Sequence, residues 1–168
     1  MNPHPDTAPP QAARRAAAWA VAWALAVAGL GNLGTDLGPW YQGLKQPPWK
    51  PPDLWFGPAW TLIFGLTAWA GARAWLRAGS GLRQTLVLAF VANGALNVAW
   101  SWLFFRLRRP DWALAEVLPF GLSIVLQLWL AARADRLAAW LLLPYLLWVA
   151  FAAALNAAVA RLNGFAWT

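Results

Sequence analysis

The segment WYQGLKQPPWKPPDLWFGPAWT, from Trp40 to Thr61, carries four tryptophans and five prolines between two long apolar runs. Proline lacks a backbone N–H group and keeps the chain out of regular helix. Irregular backbone next to a membrane is tolerated only where protein or water satisfies its polar groups. The segment therefore predicts a compact, aromatic-walled lid over a membrane domain, and such a lid indicates a binding site.

Long apolar windows lie on both sides of this segment. A bilayer core about 30 Å thick needs roughly 20 apolar residues in helical form. Five windows meet that length, and they cover residues 16–37, 55–76, 82–105, 112–132 and 137–162. The connections after the second, third and fourth windows are short, so those helices must pack as antiparallel neighbours. The sequence predicts an all-α integral membrane protein, a five-transmembrane-helix bundle with a long Pro/Trp-rich first loop.

Two tails flank the predicted membrane domain, which covers residues 16–163. Residues 1–15 are polar and Pro-rich, and we expect them to form a disordered N-terminal tail. The apolar run that follows is too long for the core of a cleaved signal peptide, so we interpret it as a retained helix. Residues 164–168 form a short C-terminal tail.

The composition excludes several classes of site. Hydrophobic residues make up 61% of the 168 residues and charged residues 11%, whereas a soluble domain is about one quarter charged. There is no cysteine, and the single histidine, His4, lies in the predicted tail, so we expect no metal site and no required cofactor. The net charge is +7, but the basic residues cluster at the ends of apolar windows, where they reach lipid phosphates. We expect membrane lipid, and not nucleic acid, as their partner.

Conventional acid–base catalysis is not expected either. Glu116 is the only glutamate, and the aspartates lie at the ends of windows or in connections. No carboxylate pair or histidine base is available to activate a nucleophile. We therefore predict no catalytic residue of the usual kinds. Indole photochemistry on a bound pigment stays open, because it needs only a tryptophan close to the ligand.

A few polar side chains fall inside the apolar windows. Asn93, Asn97 and Ser101 are spaced by four residues and share one helical face, and Asn156 and Asn163 share a face of the last window. Hydrogen bonding between helices is the simpler explanation of these residues. Contact with a ligand is the alternative explanation, and Asn97 is the best candidate for it because tryptophans lie nearby.

The chain contains 15 tryptophans, and they fall into two groups. Those near the ends of windows fit an aromatic belt at the lipid headgroups. These are Trp19, Trp75, Trp112, Trp140 and Trp167. A second group would gather at one end of the bundle if the first loop folds over it. It comprises Trp40, Trp49, Trp55, Trp60, Trp100 and Trp148. Flat aromatic walls with a few N–H donors suit a flat, apolar, partly anionic ligand such as a tetrapyrrole or a sterol-like lipid. Lys45 and Lys50 are candidates to meet ligand carboxylates at the rim, or else to anchor in lipid.

These residues also resemble the TspO/MBR family of bacterial tryptophan-rich sensory proteins and the mitochondrial translocator protein, once called the peripheral benzodiazepine receptor. The resemblance runs in order from about residue 29 to residue 163. The matching motifs are Trp40-Tyr41, Leu44, Pro47, Trp49, Pro51-Pro52, Phe56-Gly57-Pro58-x-Trp60-Thr61, Asn97-x-x-Trp100-Ser101-x-x-Phe104-Phe105, Pro144-Tyr145-x-x-Trp148-x-x-Phe151-Ala152 and Leu155-Asn156.

The resemblance implies a dimeric five-helix bundle that binds porphyrins, sterols and synthetic aromatic ligands beneath the first loop. By motif it places Tyr41, Trp60, Asn97, Trp100, Trp148 and Ala152 in the pocket. The residue patterns above add Trp49 and Ser101 to the predicted ligand-binding set. In some bacterial relatives, tryptophans matching Trp60 and Trp148 take part in light-dependent breakdown of protoporphyrin IX, which makes these two the candidate photochemical residues.

The chain departs from the family pattern at three points. Gln46 stands where a lysine is common, and Phe64 replaces a frequent tyrosine. The stretch from Leu155 to Arg161 lacks the tyrosine of the sterol motif found in animal members, so cholesterol recognition through that motif is not expected.

Several functions remain open at this point. The leading hypothesis is a membrane receptor or sensor for protoporphyrin IX or heme, in a bacterial cell envelope. The alternatives are a porphyrin transporter, a light-dependent porphyrin-degrading protein, and a structural protein whose tryptophans only anchor it in lipid. Alanine stripes at Ala95 and Ala99 and at Ala150, Ala154 and Ala158 favour close helix packing, either within one bundle or in a homodimer.

Overall fold

A computed structural model describes residues 10–165, and all regular secondary structure in this range is helical. The range contains five helices of at least 22 residues and one single-turn helix, α2. Their bounds are α1 Pro10–Gly34, α2 Pro39–Gln42, α3 Phe56–Arg77, α4 Ser80–Ser101, α5 Pro110–Ala134 and α6 Arg136–Leu162. Residues 35–55, which include α2, connect α1 to α3 and are called the lid below.

The five long helices form a closed ring. Helix α1 packs against α3 and α4, α3 packs against α6, α6 against α5, and α5 against α4. The turns between α3 and α4 and between α5 and α6 are only a few residues long, so each of these pairs is antiparallel. The ring therefore has two distinct ends, one under the lid and one at the α3–α4 and α5–α6 turns.

Four of the long helices have the length and apolar composition needed to cross a membrane. They are α1, α4 with its extension to Arg106, α5 and α6. Their outward faces carry many exposed large apolar side chains, among them Leu25, Val91, Leu122 and Leu147. Such faces are stable in lipid, and the protein is a membrane protein.

Alanine packs the end of the ring that lies away from the lid. Ala70 and Ala74 of α3, Ala131 of α5 and Ala138 of α6 are fully buried there, together with Leu142. Small side chains let helix backbones approach closely, so the helices pack tightly around these residues. The alanine-packed end is defined here by these residues and their neighbours in the same cluster.

The predicted helix bounds differ from the observed ones mainly in α1. The first helix was predicted over residues 16–37, after a disordered tail to Arg15, but α1 begins at Pro10 and ends at Gly34. Proline is well suited to a first helical turn, and the alanines that follow are strong helix formers, so the tail prediction was wrong for residues 10–15. The remainder of that tail, with His4, and Trp167 in the predicted C-terminal tail lie outside the described residues.

The other bounds shift by a few residues at most. The helix predicted over 82–105 is α-helical only from Ser80 to Ser101 and then continues as a π-helical turn, Trp102–Arg106. Within that turn the Leu107 N–H donates to the Trp102 carbonyl at 2.8 Å. Such turns insert one extra residue into a helix and re-aim its side chains. Here Phe104 is buried toward the lid and Trp102 is directed onto α1.

Asp135 ties α6 to α3 at the alanine-packed end. One carboxylate oxygen accepts from the N–H groups of Leu137 and Ala138, at 2.8 and 3.2 Å, and so caps the start of α6. The other oxygen pairs with Arg73 at 3.0 Å and with Arg77. A buried carboxylate with both a helix cap and two guanidinium partners fixes the register of these two helices.

The crossing of α1 and the π-helical turn depends on Gly34. The Trp102 indole N–H donates to the Leu30 carbonyl at 3.0 Å, so the ring lies flat along the end of α1. A Cβ atom at residue 34 would come within 2.5 Å of Trp102 Cδ1. Only glycine leaves room for the indole at this point.

We predict that Gly34→Ala destabilises the protein by about 1–3 kcal/mol, because the rigid indole must move and give up its bond to α1. The measurement is thermal unfolding in detergent. Gly29→Ala on the same helix is the matched control, since a Cβ atom there meets no atom within 4 Å, and it should keep or raise the midpoint. Equal midpoints for the wild type and Gly34→Ala would show that the crossing is looser than described.

Candidate functional site

A cavity of about 650 Å³ lies at the lid end of the ring. Its walls come from α1, α3, α4, α6 and the lid, and most of them are apolar or aromatic. The lining residues are Val27, Ala28, Gly31, Asn32, Thr35, Leu37, Tyr41, Gln46, Asp53, Leu54, Phe56, Gly57, Trp60, Thr61, Phe64, Asn97, Trp100, Ser101, Phe104, Phe105, Trp148, Ala152, Leu155, Asn156 and Val159. This volume falls in the range of small-molecule sites.

Three tryptophans from three helices form the aromatic walls. Trp60 of α3 and Trp148 of α6 meet edge to face, with ring centroids 6.3 Å apart. Trp60 also stacks on Phe64 at 5.4 Å, and Trp100 of α4 stacks on Phe104 at the same distance. These contacts hold the rings in fixed orientations, so the walls are largely formed before any ligand arrives.

Two of these indoles carry N–H groups that are buried and have no hydrogen-bond partner in residues 10–165. They are Trp100 Nε1 and Trp148 Nε1. A buried donor left unpaired costs about 1–3 kcal/mol. Both residues line the cavity through their rings, but the two nitrogens have almost no accessible surface, so a ligand meets the aromatic faces and not these N–H groups.

A polar network closes the base of the cavity. The Tyr145 hydroxyl donates to Asn93 Oδ1 at 3.0 Å and accepts from Asn97 Nδ2 at 3.2 Å. Asn93 also donates to Ser123 Oγ at 2.8 Å, which extends the network to α5. Asn93 and Asn97 therefore both form hydrogen bonds between helices, which was the simpler explanation of these residues. Asn97 also lines the cavity.

Tyr145 is the residue that sequence reasoning missed in this network. It was noted only as part of a family motif, although a buried tyrosine hydroxyl in mid-helix needs a partner. The spacing of Asn93 and Asn97 on one face of α4 was the available signal, because two amides in register require a donor or acceptor between them.

Asn156 in α6 and Asn163 directly after it have different hydrogen-bond partners. Asn156 lines the cavity. In the amide orientation that satisfies its neighbours, its nitrogen donates to the Pro110 carbonyl at 3.0 Å and its oxygen accepts from the Leu114 N–H at 3.1 Å. Asn163 lies beyond the end of α6 and bonds to both backbone groups of Lys45. Its Oδ1 accepts from the Lys45 N–H at 2.9 Å, and its Nδ2 donates to the Lys45 carbonyl at 2.9 Å. Asn163 thereby fastens the lid to α6.

The lid carries a second polar cluster at the cavity rim. The Tyr41 hydroxyl and the Lys50 ammonium both donate to Asp53 Oδ1, at 2.7 and 2.6 Å. Burial, followed by the hydrogen bond and charge of Asp53, raises the pKa of the Tyr41 hydroxyl, so the hydroxyl stays protonated. Burial raises the pKa of Asp53, but the hydrogen bonds from Lys50 and Tyr41 and the Lys50 charge outweigh it and leave this pKa below its ordinary value. Asp53 is therefore a carboxylate at neutral pH.

Seven of the eight residues predicted to bind ligand line this one cavity. They are Tyr41, Trp60, Asn97, Trp100, Ser101, Trp148 and Ala152. Trp49 does not, since it packs edge to face on Phe151 at 6.0 Å from outside and is half exposed. Its position in a Pro-rich loop left its direction undetermined by the sequence.

Other expectations about the lid changed with the structure. Trp40 packs on Phe104 at 6.2 Å with Arg108 over its other side, and Trp55 is exposed, so neither lines the cavity. Lys50, predicted at the rim, is already paired with Asp53 and also lies over the Tyr41 ring at 5.7 Å.

Helix α1 contributes a wall that the sequence analysis did not assign. Val27, Ala28 and Gly31 line the cavity from this side. A Cβ atom on Gly31 would lie 3.6 Å from Ser101 Oγ and 3.9 Å from Asn97 Oδ1, so the glycine leaves open the space next to these polar groups. The small residue at this position was the only signal available.

Comparison with known proteins agrees with the geometry of this site. The model of the TspO/MBR family matches residues 17–162. The chain is 35% identical over 143 residues to the tryptophan-rich protein TspO of Archaeoglobus fulgidus, which covers 82% of this chain and 92% of the relative. It is 36% identical over 124 residues to the tryptophan-rich sensory protein of Cereibacter sphaeroides, covering 74% and 77%.

A eukaryotic relative matches the same region. The translocator protein of Homo sapiens is 32% identical over 126 residues, which cover 74% of this chain and 75% of the relative. The family match includes the lid, the three wall tryptophans and the polar network at the base of the cavity. The chain therefore belongs to the TspO/MBR family.

Proposed function

We propose that this protein is a membrane receptor or sensor that binds tetrapyrroles, such as protoporphyrin IX or heme, in the cavity beneath the lid. The observation that carries the proposal is the set of aromatic walls that Trp60, Trp100 and Trp148 form around a cavity of about 650 Å³. Such walls bind a flat apolar ring. Sterol-like and other aromatic lipophilic molecules are a broader ligand class with the same chemistry.

The size of the cavity supports an affinity in the micromolar range. At about 25 cal/mol per Å² of apolar surface, a few hundred Å² of buried ligand surface gives several kcal/mol before the costs of association. Micromolar affinity corresponds to about 8 kcal/mol. A preformed aromatic site in a membrane protein is consistent with that value.

The test of binding is a dark titration with protoporphyrin IX, followed by tryptophan fluorescence. We expect saturable quenching in the wild type and a Kd raised about fivefold or more in Trp148→Phe and Asn97→Ala, because the first loses part of an aromatic wall and the second loses a polar group at the cavity. Trp140→Phe is the matched control on the same helix, as Trp140 is exposed on the outer face. Non-saturating quenching that is the same in all four proteins would mean that the porphyrin only partitions into detergent.

A second candidate function is light-dependent breakdown of the bound porphyrin. The observation that favours it is the contact between Trp60 and Trp148, whose centroids are 6.3 Å apart at the cavity wall. Two indoles side by side against a pigment provide a short route for an electron from protein to excited ligand.

If this candidate is right, illumination in air bleaches the bound porphyrin, and Trp60→Phe or Trp148→Phe slows bleaching at least tenfold at equal ligand occupancy. Trp69→Phe on α3 serves as the control, because Trp69 lies on the outer face. The readout is the decay of porphyrin absorbance under constant light. Equal rates in all variants would leave the protein as a binding protein only.

We also propose that α3 crosses the membrane, which makes five spans. Helix α3 lies in the ring between α1 and α6, and its 22 residues extend about 33 Å. Its outward residues Leu62 and Trp69 are 62% and 55% exposed, which requires lipid around them. The proposed five-span bundle places the lid and the α3–α4 turn on opposite sides.

Single cysteines test this topology without background, since the chain has none of its own. In sealed vesicles, a membrane-impermeant maleimide should label Lys45→Cys in the lid and Ser80→Cys at the start of α4 from opposite sides. Labelling of both from the same side would show that α3 does not cross.

We further propose a homodimer. Ala95 of α4 and Ala150 and Ala154 of α6 are exposed on the outside of the ring, where small residues let a second helix approach closely. The partners in the proposed function are thus a tetrapyrrole or lipophilic small molecule, membrane lipid and a second copy of the chain, in a bacterial cell envelope.

A further inference from the structure

Asp53 is the only charged side chain among the described residues that line the cavity. Its carboxylate lies at the rim, where the lid meets the start of α3. Every other lining group is apolar, aromatic, hydroxyl or amide. Any charge preference of the site must therefore depend strongly on this one group.

The cation that balances Asp53 is Lys50. Its ammonium donates to Asp53 Oδ1 at 2.6 Å, and Lys50 is not among the residues that line the cavity. The same ammonium lies 5.7 Å from the centroid of the Tyr41 ring and 6.0 Å from that of Phe56, so two aromatic faces also hold it in place. Of the two charged groups, only the carboxylate belongs to a residue that lines the cavity.

We propose that Asp53 is a specificity-determining residue, whose charge weakens the binding of a ring that bears carboxylates relative to the same ring with an uncharged edge. This inference rests on the proposed function. A ligand carboxylate at the rim would face a like charge, and like charges brought together at an interface are costly. Lys50 would have to leave Asp53 to compensate, and Asp53 would then lose its partner.

The substitution Asp53→Asn removes the negative charge and keeps the size and shape of the side chain. The asparagine side-chain oxygen still accepts from Tyr41 and Lys50, so the lid keeps both hydrogen bonds. The rim, however, changes from a neutral pair to a single positive charge. Lys50 then becomes a partner for a ligand carboxylate.

The experiment compares protoporphyrin IX, which has two carboxylates, with its dimethyl ester, which has none. The measured quantity is the ratio of the two Kd values, diacid over ester, in the dark for each variant in the same detergent. Partitioning of either porphyrin into detergent is common to all variants and cancels when the ratios are compared. We expect Asp53→Asn to lower this ratio about fivefold, the effect of one partly exposed charge pair. Raising the salt to 1 M should shrink the difference.

Two further variants complete the design. Lys50→Gln leaves the carboxylate without its cation and should raise the ratio. Asp36→Asn is the matched control, because Asp36 also lies in the lid but caps the Gly38 N–H at 2.8 Å and does not line the cavity. Its ratio should equal that of the wild type.

The outcomes are distinct. An unchanged ratio in Asp53→Asn, with both porphyrins still binding saturably, would overturn the inference and leave the proposed function standing. An equal shift in Asp36→Asn would also overturn it, since the effect would then come from net charge alone. No saturable binding of either porphyrin to the wild type would overturn the proposed function itself.

Discussion

The pairing of Asn163 with the Lys45 peptide is the contact on which the lid, and with it the cavity, depends. Prolines 47, 48, 51 and 52 remove four N–H donors from this part of the chain, so residues 43–52 of the lid form no helix. Some of its backbone groups therefore take hydrogen-bond partners outside the lid. Asn163 supplies two, to the N–H and carbonyl of a single residue. The bond from Tyr41 to Asp53 then joins the two halves of the lid to each other.

The two ends of the ring solve different physical problems. The alanine-packed end is closed by small side chains and by Asp135, whose carboxylate satisfies both a helix start and two arginines. The lid end instead leaves space between large aromatic rings that touch each other edge to face. A bundle with one alanine-packed end and one covered cavity is suited to holding a ligand. Movement of that ligand through the protein would require the alanine-packed end to open.

The sequence predicts the long helices and some buried polar residues well, and the start of α1 poorly. Apolar windows locate the long helices within a few residues, because the membrane imposes their length. Polar residues in those windows identify Asn97, which lines the cavity, since each buried amide needs a partner. The start of α1 at Pro10 was missed because an alanine-rich, Arg-containing segment reads equally as tail or helix.

Side-chain directions in the lid could not be predicted. No periodicity governs a Pro-rich segment, so Trp49 was assigned to the cavity although it packs outside it. For Lys50 the sequence left ligand contact and lipid anchoring open, and its pairing with Asp53 was not foreseen. The sequence did not identify the wall formed by α1, because Gly31 contributes open space and no side chain. Tyr145 was passed over because its partners come from a helix about 50 residues away in sequence.

The central claim is that the aromatic walls formed by Trp60, Trp100 and Trp148 bind a flat ring in the cavity. The most direct test is an NMR spectrum of the protein with ¹⁵N-labelled indole nitrogens, recorded in the dark before and after adding protoporphyrin IX dimethyl ester. The account predicts large shifts for Trp60, Trp100 and Trp148, from the ring current of the bound porphyrin, and none for Trp69 and Trp140 on the outer faces. Small, uniform shifts across all of these tryptophans would contradict it.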